Sequence, residues 1–157
     1  MTFAPEYVEL AARARSDLRM GLPVVLRHGD SAVMAASPET VPGDRLAALL
    51  SEGDCVLALT HRRAETLKIR VYDGDLARLP LARDLTPADL RALIDPAGDL
   101  ATPLKGPFRA ERGGDVRLHR AAIRLAKSAR LLPAALVRPV ADPQHMAATC
   151  NLTLLDV

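Results

Sequence analysis

The chain alternates short, wholly apolar segments with segments of helical periodicity, and this alternation limits the folds open to it. The apolar segments 23–26, 32–36, 55–59 and 134–137 are flanked by turn and capping residues, as buried strands are. The segments between them repeat apolar residues three and four positions apart, the spacing of an amphipathic helix. The pattern predicts an α/β (α+β) domain with a largely buried sheet, and disfavours a helical bundle or an all-β barrel.

Capping and turn residues mark the element boundaries. Thr86, Pro87 and Asp89 have the types and spacing of a helix start, Thr60 is a natural N-cap, and Gly21 supplies a helix stop. Helices are predicted over 5–20, 41–50, 61–67 and 120–132, after Thr86 and near Met146, and strands over 23–26, 32–36, 55–59, 69–72, around Phe108, 134–137 and 152–157.

Length and composition exclude several classes of protein. A chain of 157 residues is one domain by default, and with two Phe, two Tyr and no Trp its core must be aliphatic. The same scarcity disfavours proteins that stack nucleic-acid bases on aromatic rings. Nineteen acidic residues nearly balance 21 basic ones, so no duplex-DNA footprint is present. We expect no nucleic-acid partner.

The cysteines and the apolar segments bear on the compartment. Cys55 lies in an apolar run and is typical of a small core residue in a reducing compartment, and Cys150 is far from it in sequence. No apolar signal core opens the chain, and no apolar stretch approaches the roughly 20 residues that cross a bilayer. We expect a cytoplasmic protein with no membrane partner.

Arginine dominates the basic residues, since only three of the 21 are lysines. Guanidinium groups bind oxyanions well, but a GC-rich coding bias also enriches arginine, and both explanations stay open. Two helix starts concentrate the basic residues, Thr60-His61-Arg62-Arg63 and Arg117-Leu118-His119-Arg120. A helix N-terminus attracts anions, although solvent-exposed basic residues occur there too. The anion-binding candidates are Thr60, Arg62, Arg63, Arg117 and Arg120.

The familiar catalytic and cofactor motifs are missing. No two of the four histidines have the i, i+4 spacing of a helical metal site, and no cysteine joins them in a metal-site motif. The sequence has no phosphate-binding glycine loop and no Gly-x-Ser-x-Gly nucleophile motif. We therefore predict no metal site and no cofactor from the residues alone.

Three stretches in order point to a known family. They are residues 15–26 (RSDLRMGLPVVL), 33–36 with 55–60 (VMAA and CVLALT), and 121–127 with 132–137 (AAIRLAK and LPAALV). Together they resemble 3,4-dihydroxy-2-butanone-4-phosphate synthase. The resemblance implies a mixed sheet flanked by helices and a dimer with active sites near its interface. It also implies conversion of ribulose 5-phosphate to dihydroxybutanone phosphate and formate with magnesium.

Two departures from that family affect its metal site. The family has an acidic loop between its first two strands, where this chain has residues 27–32 with Asp30 as the sole acid. The family's Gly-His-Thr-Glu-Ala signature falls on residues 117–121, so Leu118 replaces the metal-ligand histidine. His119 comes one position late, a rotation of about 100° on a helix. We therefore assign no catalytic residue, although Asp30 and His119 remain as candidates. The resemblance implies a domain that kept the fold and lost the metal site.

A closer resemblance is carried by residues 63–67, 103–108 and 130–137 (RAETL, PLKGPF and RLLPAALV). They are similar to the degenerate synthase-like N-terminal domain of bacterial GTP cyclohydrolase II proteins. The zinc-binding cysteine cluster of the cyclohydrolase half has no counterpart in this sequence. The resemblance implies that residues 1–157 are one synthase-like domain, the N-terminal part of a longer protein whose C-terminal domain is the cyclohydrolase.

Three functions follow as hypotheses. The first is a non-catalytic riboflavin-biosynthesis domain, which acts as a scaffold, homodimerisation or regulatory module of a GTP cyclohydrolase II. The second is an active phosphosugar lyase with a rearranged site around Asp30, His119 and Arg120. The third is a module whose arginines bind a phosphorylated effector.

Overall fold

Six strands form one sheet, and helices cover both of its faces. The structure, a computed structural model, describes residues 2–99 and 108–157. The elements are α1 (Tyr7–Arg19), β1 (Val24–His28), β2 (Ser31–Ala36), α2 (Gly43–Leu50), β3 (Val56–Thr60), α3 (His61–Thr66), β4 (Leu76–Pro80), α4 (Pro87–Ile94), a 3₁₀ turn (Pro96–Gly98), α5 (Arg117–Ser128), β5 (Ala134–Pro139), α6 (Pro143–Cys150) and β6 (Leu154–Asp156).

The sheet is mixed, which confirms the predicted fold class. Its strand order is β4-β3-β5-β2-β1-β6, and all neighbours are antiparallel except β1 and β6, which are parallel. Helices α2, α3 and α4 pack on one face, and α1 and α5 pack on the other. The domain therefore has three layers with two apolar interfaces.

The central strands β3 and β5 are buried on both sides. Leu57 and Leu136 contribute to the core beneath α2, α3 and α4, while Ala58 and Val137 contribute to the core beneath α1 and α5. All four are at most 1% exposed. A strand covered on both faces needs apolar residues at every position, which explains the continuous apolar runs in the sequence. The buried residues of the described chain include no Phe or Tyr, as predicted.

Helix α5 has two contrasting faces. Leu118, Ala122 and Leu125 are spaced four and three residues apart and are buried against the sheet. Arg120 and Arg124 lie on the other side of the helix and are at least partly exposed. The apolar face fixes the helix on the sheet, and this placement presents the arginine face outward.

The predicted caps are confirmed. The Thr86 hydroxyl accepts from the Asp89 amide at 3.1 Å, and the Asp89 carboxylate accepts from the Thr86 amide at 3.2 Å. The Thr60 hydroxyl accepts from the Arg63 amide at 3.2 Å at the start of α3. These bonds satisfy amides that have no partner within the helix itself.

The predicted strand over 69–72 is wrong. Lys68 follows α3 with φ 59°, and the amide of Ile69 donates to the Ala64 carbonyl at 2.8 Å, a pattern that closes helix ends. Ile69 is buried as the apolar residue of this helix stop, not as part of a strand. The strand lies further on, at β4, whose sequence LARLP carries a charge in its centre.

The boundaries predicted for the helix over 120–132 are also wrong. Helix α5 begins at Arg117 and ends at Ser128, whereas the prediction was 120–132 with Pro133 as the stop. Arg130 has φ 62°, and the Leu131 amide donates to the Ala126 carbonyl at 3.0 Å. The same closing pattern therefore ends this helix several residues before the proline.

The segment before α5 contains Phe108 and the motif at 103–108. Phe108, proposed to lie in a short strand, has no regular secondary structure and packs at the edge of the core. Residues 103–107 of the motif at 103–108 lie outside the described residues.

The loop between β1 and β2 is shorter than the stretch 27–32 that we placed between the first two strands. Arg27 and His28 pair with Ala32 and Ser31, so only Gly29 and Asp30 remain in the loop. Gly29 has φ 59°, in the left-handed region that glycine adopts readily. The hairpin is confirmed, and its loop is two residues long.

Cys55 is buried, as predicted, and burial raises the pKa of its thiol to about 11. Cys150 is exposed. Among residues 2–99 and 108–157, no helix combines the length and the apolar character needed to cross a bilayer.

Gly21 ends α1, as predicted. A substitution at this position tests the packing between α1 and the segment before α2. Gly21 has φ 81°, and a Cβ there would lie 2.7 Å from the Thr40 carbonyl oxygen. Gly74 has φ 80° with nothing within 4 Å of the same position, so it is a matched control. We expect Gly74→Ala to lower the free energy of unfolding by about 1–2 kcal/mol through backbone strain alone. Gly21→Ala should cost about 1–3 kcal/mol more through the added clash. Equal losses in denaturant titrations would contradict this packing.

Candidate functional site

The two catalytic candidates line one pocket, which we call the hairpin pocket. It has a volume of about 310 Å³ and lies between the β1–β2 turn, the start of α5 and the end of β5. Asp30 is exposed at the turn, and His119 is half-buried in the first turn of α5. The described residues that line it are Asp30, Ser31, Ala32, Val33, Asp115, Leu118, His119, Pro139, Val140 and Ala141.

His119 is held in its neutral form. Burial lowers the pKa of His119 to about 4, and the positive charge of Arg78 lowers it further, against weaker opposite effects of Asp73 and Asp115. Its Nδ1 is buried and has no hydrogen-bond partner among the described residues. A neutral imidazole can accept a proton, but no hydrogen bond within the described chain joins it to Asp30 or orients its ring.

A buried ion pair lies close to this histidine. Arg78 of β4 is 5% exposed and donates to both carboxylate oxygens of Asp73, at 3.0 and 3.3 Å. It also donates to the Gly113 carbonyl and lies 3.5 Å from the Glu111 carboxylate. Through Gly113 and Glu111, Arg78 connects β4 to the chain that leads into α5, so it helps to position the start of that helix.

The two predicted anion-binding motifs meet at a second concavity, which we call the α3–α5 cleft. It has a volume of about 270 Å³. Thr60 and Arg62 reach it from the start of α3, and Arg120 reaches it from α5. The described residues that line it are Thr60, His61, Arg62, Asp75, Leu76, Arg120, Ile123, Arg124 and Lys127.

Two ion pairs flank this cleft. Arg120 donates from Nε and Nη2 to the two carboxylate oxygens of Asp75, both at 2.8 Å, and this contact lowers the pKa of Asp75. His61 contacts the Gly74 carbonyl through Nδ1 at 2.9 Å and the Glu65 carboxylate through Nε2 at 2.7 Å. The hydrogen bond to Gly74 and, to a smaller extent, the one to Glu65 raise the pKa of His61.

Arg63 and Arg117 do not line the cleft. Arg63 donates to both oxygens of Asp99 at 2.7 and 3.0 Å, and to the carbonyls of Leu93 and Ala92 at 2.8 and 3.2 Å. Its guanidinium thus holds the end of α4. Arg117 is exposed at the first position of α5, where its amide donates to Asp115 at 2.9 Å.

Sequence reasoning missed several residues of both concavities. Arg124 and Lys127 follow Arg120 at helical spacing, so the stripe on α5 was visible in the sequence. Asp75 and Arg78 had no such signal, because β4 was not predicted and their positions depend on the fold. Asp115 also lines the hairpin pocket, a position that depends on the fold.

The fold is that of a known class of protein. The chain has the fold of 3,4-dihydroxy-2-butanone 4-phosphate synthase. It superposes on the cation-free structure of that enzyme with a TM-score of 0.68 at 15% identity, over 92% of this chain and 91% of the other. A two-domain synthase from A. baumannii, RibBX, gives a TM-score of 0.67 at 16% identity, over 93% of this chain and 55% of that one.

The sequence is similar to part of a longer protein. The chain is 37% identical over 143 residues to GTP cyclohydrolase-2 of Azospirillum brasilense, a match that covers 87% of this chain. The chain spans about 36% of the length of that relative. No family model matches the sequence. The chain is therefore a synthase-like domain related to part of a GTP cyclohydrolase-2.

The residues of the hairpin pocket do not fit the magnesium that the synthase resemblance implies. Mg²⁺ favours octahedral oxygen coordination, usually with carboxylates and water. Within residues 2–99 and 108–157, no three His, Cys, Asp or Glu side chains form a possible metal-binding group. Asp30 and Asp115 are the two carboxylates that line the pocket, and the charge of Arg78 acts on the same region.

The neighbouring arginines of α3 offer a test of their different roles. Arg63→Ala removes four hydrogen bonds of a side chain that is 10% exposed, two of them to a carboxylate. We expect the free energy of unfolding to fall by about 1.5–3 kcal/mol. Arg62→Ala removes an exposed side chain and should change it by less than about 0.5 kcal/mol. Similar losses for both variants in denaturant titrations would show that Arg63 has no such structural role.

The low pKa of His119 should make the free energy of unfolding depend on pH. The unfolded chain binds a proton on this imidazole near pH 6.5, and the folded chain binds it near pH 4. Between these values the unfolded state holds more protons, so stability should fall as the pH falls from 6.5 to 4. His119→Gln should fall less steeply over this window. His61 contributes in a different pH range. Its pKa is raised in the folded chain, so its contribution to the stability of the fold is lost as the pH rises above 6.5. An NMR titration that places the His119 midpoint near 6.5 contradicts the prediction.

Proposed function

We propose that this chain is a non-catalytic domain of riboflavin biosynthesis that serves a GTP cyclohydrolase II as a scaffold, dimerisation or regulatory module. The observation that carries the proposal is the β1–β2 hairpin. The synthase reaction needs an acidic loop at this place, and the loop here consists of Gly29 and Asp30. A single exposed carboxylate cannot both bind a metal ion and abstract a proton.

The start of α5 supports the same proposal from a second direction. Leu118 is 6% exposed and packs into the core beneath α1 and α5, at the place where the synthase family has a metal-ligand histidine. His119, one position later, has a buried and unpartnered Nδ1 and a low pKa. The two departures lie on different elements that meet at one pocket, so a shift in the alignment of one does not restore the other.

The relation to GTP cyclohydrolase-2 supports the role in riboflavin biosynthesis. We propose that residues 1–157 are one domain at the N-terminal side of a longer cytoplasmic protein. Its partner is then the catalytic GTP cyclohydrolase II domain of the same chain. The reading frame after Val157 tests this directly, since it should encode that domain with its zinc-binding cysteine cluster.

We propose that the domain also forms a homodimer, as its resemblance to the synthase family implies. Tyr7 and Val8 of α1 are 57% and 72% exposed, which gives this helix an unburied apolar surface. Contiguous exposed apolar residues favour association. Sedimentation velocity over a range of concentrations measures the oligomeric state, and a monomer throughout would refute this part of the proposal.

The lyase alternative has one observation in its favour. Asp30 and His119 line the same pocket, as a rearranged site would require. Arg120, the third residue of that hypothesis, lines the α3–α5 cleft and is bound to Asp75. The three groups therefore do not share one pocket in the described structure.

Formate release distinguishes the two functions. The 157-residue chain, incubated with ribulose 5-phosphate and Mg²⁺, should release formate no faster than buffer alone, because residues 2–99 and 108–157 form no acidic cluster that could act on the substrate. An active 3,4-dihydroxy-2-butanone 4-phosphate synthase in the same buffer is the positive control.

Turnover above the buffer rate would overturn the non-catalytic proposal. Its loss in Asp30→Ala, with retention in Asp44→Ala, would then place the reaction in the hairpin pocket. Asp44 is an exposed acid on α2 that does not line that pocket, so it controls for the change in charge.

A further inference from the structure

We propose that the α3–α5 cleft is a binding site for a compact phosphorylated ligand, held by Arg62, Arg124 and Lys127. The site joins the two basic helix starts into one surface. The described residues that line it include none of those that line the hairpin pocket. The inference therefore goes beyond the non-catalytic function and does not depend on it.

The positive charges of the cleft come from two elements that the fold brings together. Arg120, Arg124 and Lys127 are spaced four and three residues apart, so they lie along one side of α5. Arg62 faces them from α3. Like charges repel one another, and the repulsion is relieved when an anion lies between them.

Among the described residues that line the cleft, positive charges outnumber negative ones. The one carboxylate among them is that of Asp75, and both of its oxygens accept from Arg120 at 2.8 Å. Within residues 2–99 and 108–157, no carboxylate lies within 4 Å of the charged groups of Arg62, Arg124 or Lys127. The charge of Arg124 also acts on Asp75, although the two side chains form no ion pair. Among the described residues, Arg62, Arg124 and Lys127 therefore keep donors that can reach a ligand.

The size and the floor of the cleft indicate the class of ligand. Its volume of about 270 Å³ lies just below the usual range for small-molecule pockets, about 300–1,000 Å³. Leu76 and Ile123 supply an apolar floor and are 1% and 6% exposed. Guanidinium groups bind phosphate oxygens through paired hydrogen bonds. A phosphate monoester with a short carbon chain fits both the charge and the space.

Binding assays with simple probes test the site. Titration calorimetry and thermal melts of the 157-residue chain, with inorganic phosphate and glycerol 3-phosphate, are compared with KCl at equal ionic strength. We expect both phosphates to bind and to raise the melting temperature above the KCl value. Arg124→Gln and Lys127→Gln should each weaken binding about tenfold through the loss of a charged hydrogen bond.

Arg13→Gln is the matched control, since Arg13 is an exposed helical arginine of α1 outside the cleft. It should leave the dissociation constant within about twofold of the parent value. Equal weakening by Arg13→Gln and Arg124→Gln would show general charge attraction and would overturn the site, as would phosphate that stabilises no more than KCl. Melting temperatures without ligand show whether each variant is folded.

A gain of affinity gives an independent test. Asp75→Asn removes the acid that occupies Arg120 and should tighten phosphate binding, because a fourth guanidinium then becomes available. Asp156→Asn is the matched control. The Asp156 carboxylate accepts a bidentate pair of hydrogen bonds from Arg27, at 2.6 and 2.9 Å, outside the cleft. Tightening by Asp75→Asn alone supports the site. Equal tightening by both variants, or none by either, overturns it.

Discussion

Burial of β3 and β5 on both faces is the constraint on which the rest of the structure depends. Each residue of these strands that turns toward one helical layer has a neighbour that turns toward the other, so both layers must be present. A single helical layer would leave half of the apolar surface in water, at about 25 cal/mol for each Å². The helices are held in place by this requirement, and both concavities lie where their ends meet the sheet or one another.

The ion pair of Arg78 and Asp73 acts electrostatically on His119 of the hairpin pocket. A charged side chain in the middle of a strand is costly to bury unless it is paired, and here it has a carboxylate and a backbone carbonyl as partners. The positive charge of Arg78 lowers the pKa of His119, and the negative charge of Asp73 opposes this effect. The pair thus influences the protonation of a side chain outside its own hydrogen bonds.

Local signals in the sequence predicted what depends on local structure. The Thr86 capping box and the continuous apolar strands were correct, because hydrogen bonds and periodicity within a few residues decide them. Ile69 was placed in a strand because nothing in the sequence marks Lys68 for the left-handed conformation that closes α3. The convergence of Arg62 and Arg120 on one cleft, and the engagement of Arg63 by Asp99, depend on the packing of distant elements and had no local signal.

The two edges of the sheet limit how copies of this domain can meet. At the β4 edge the amide of Glu111 already donates a hydrogen bond to the Arg78 carbonyl, at 2.8 Å. The β6 edge offers three residues, and Asp156 within it is tied to Arg27. Short or covered edges oppose strand-by-strand growth of a sheet between molecules. Self-association of this domain is thereby directed to its helical surfaces, and the open-ended stacking that leads to fibrils is disfavoured.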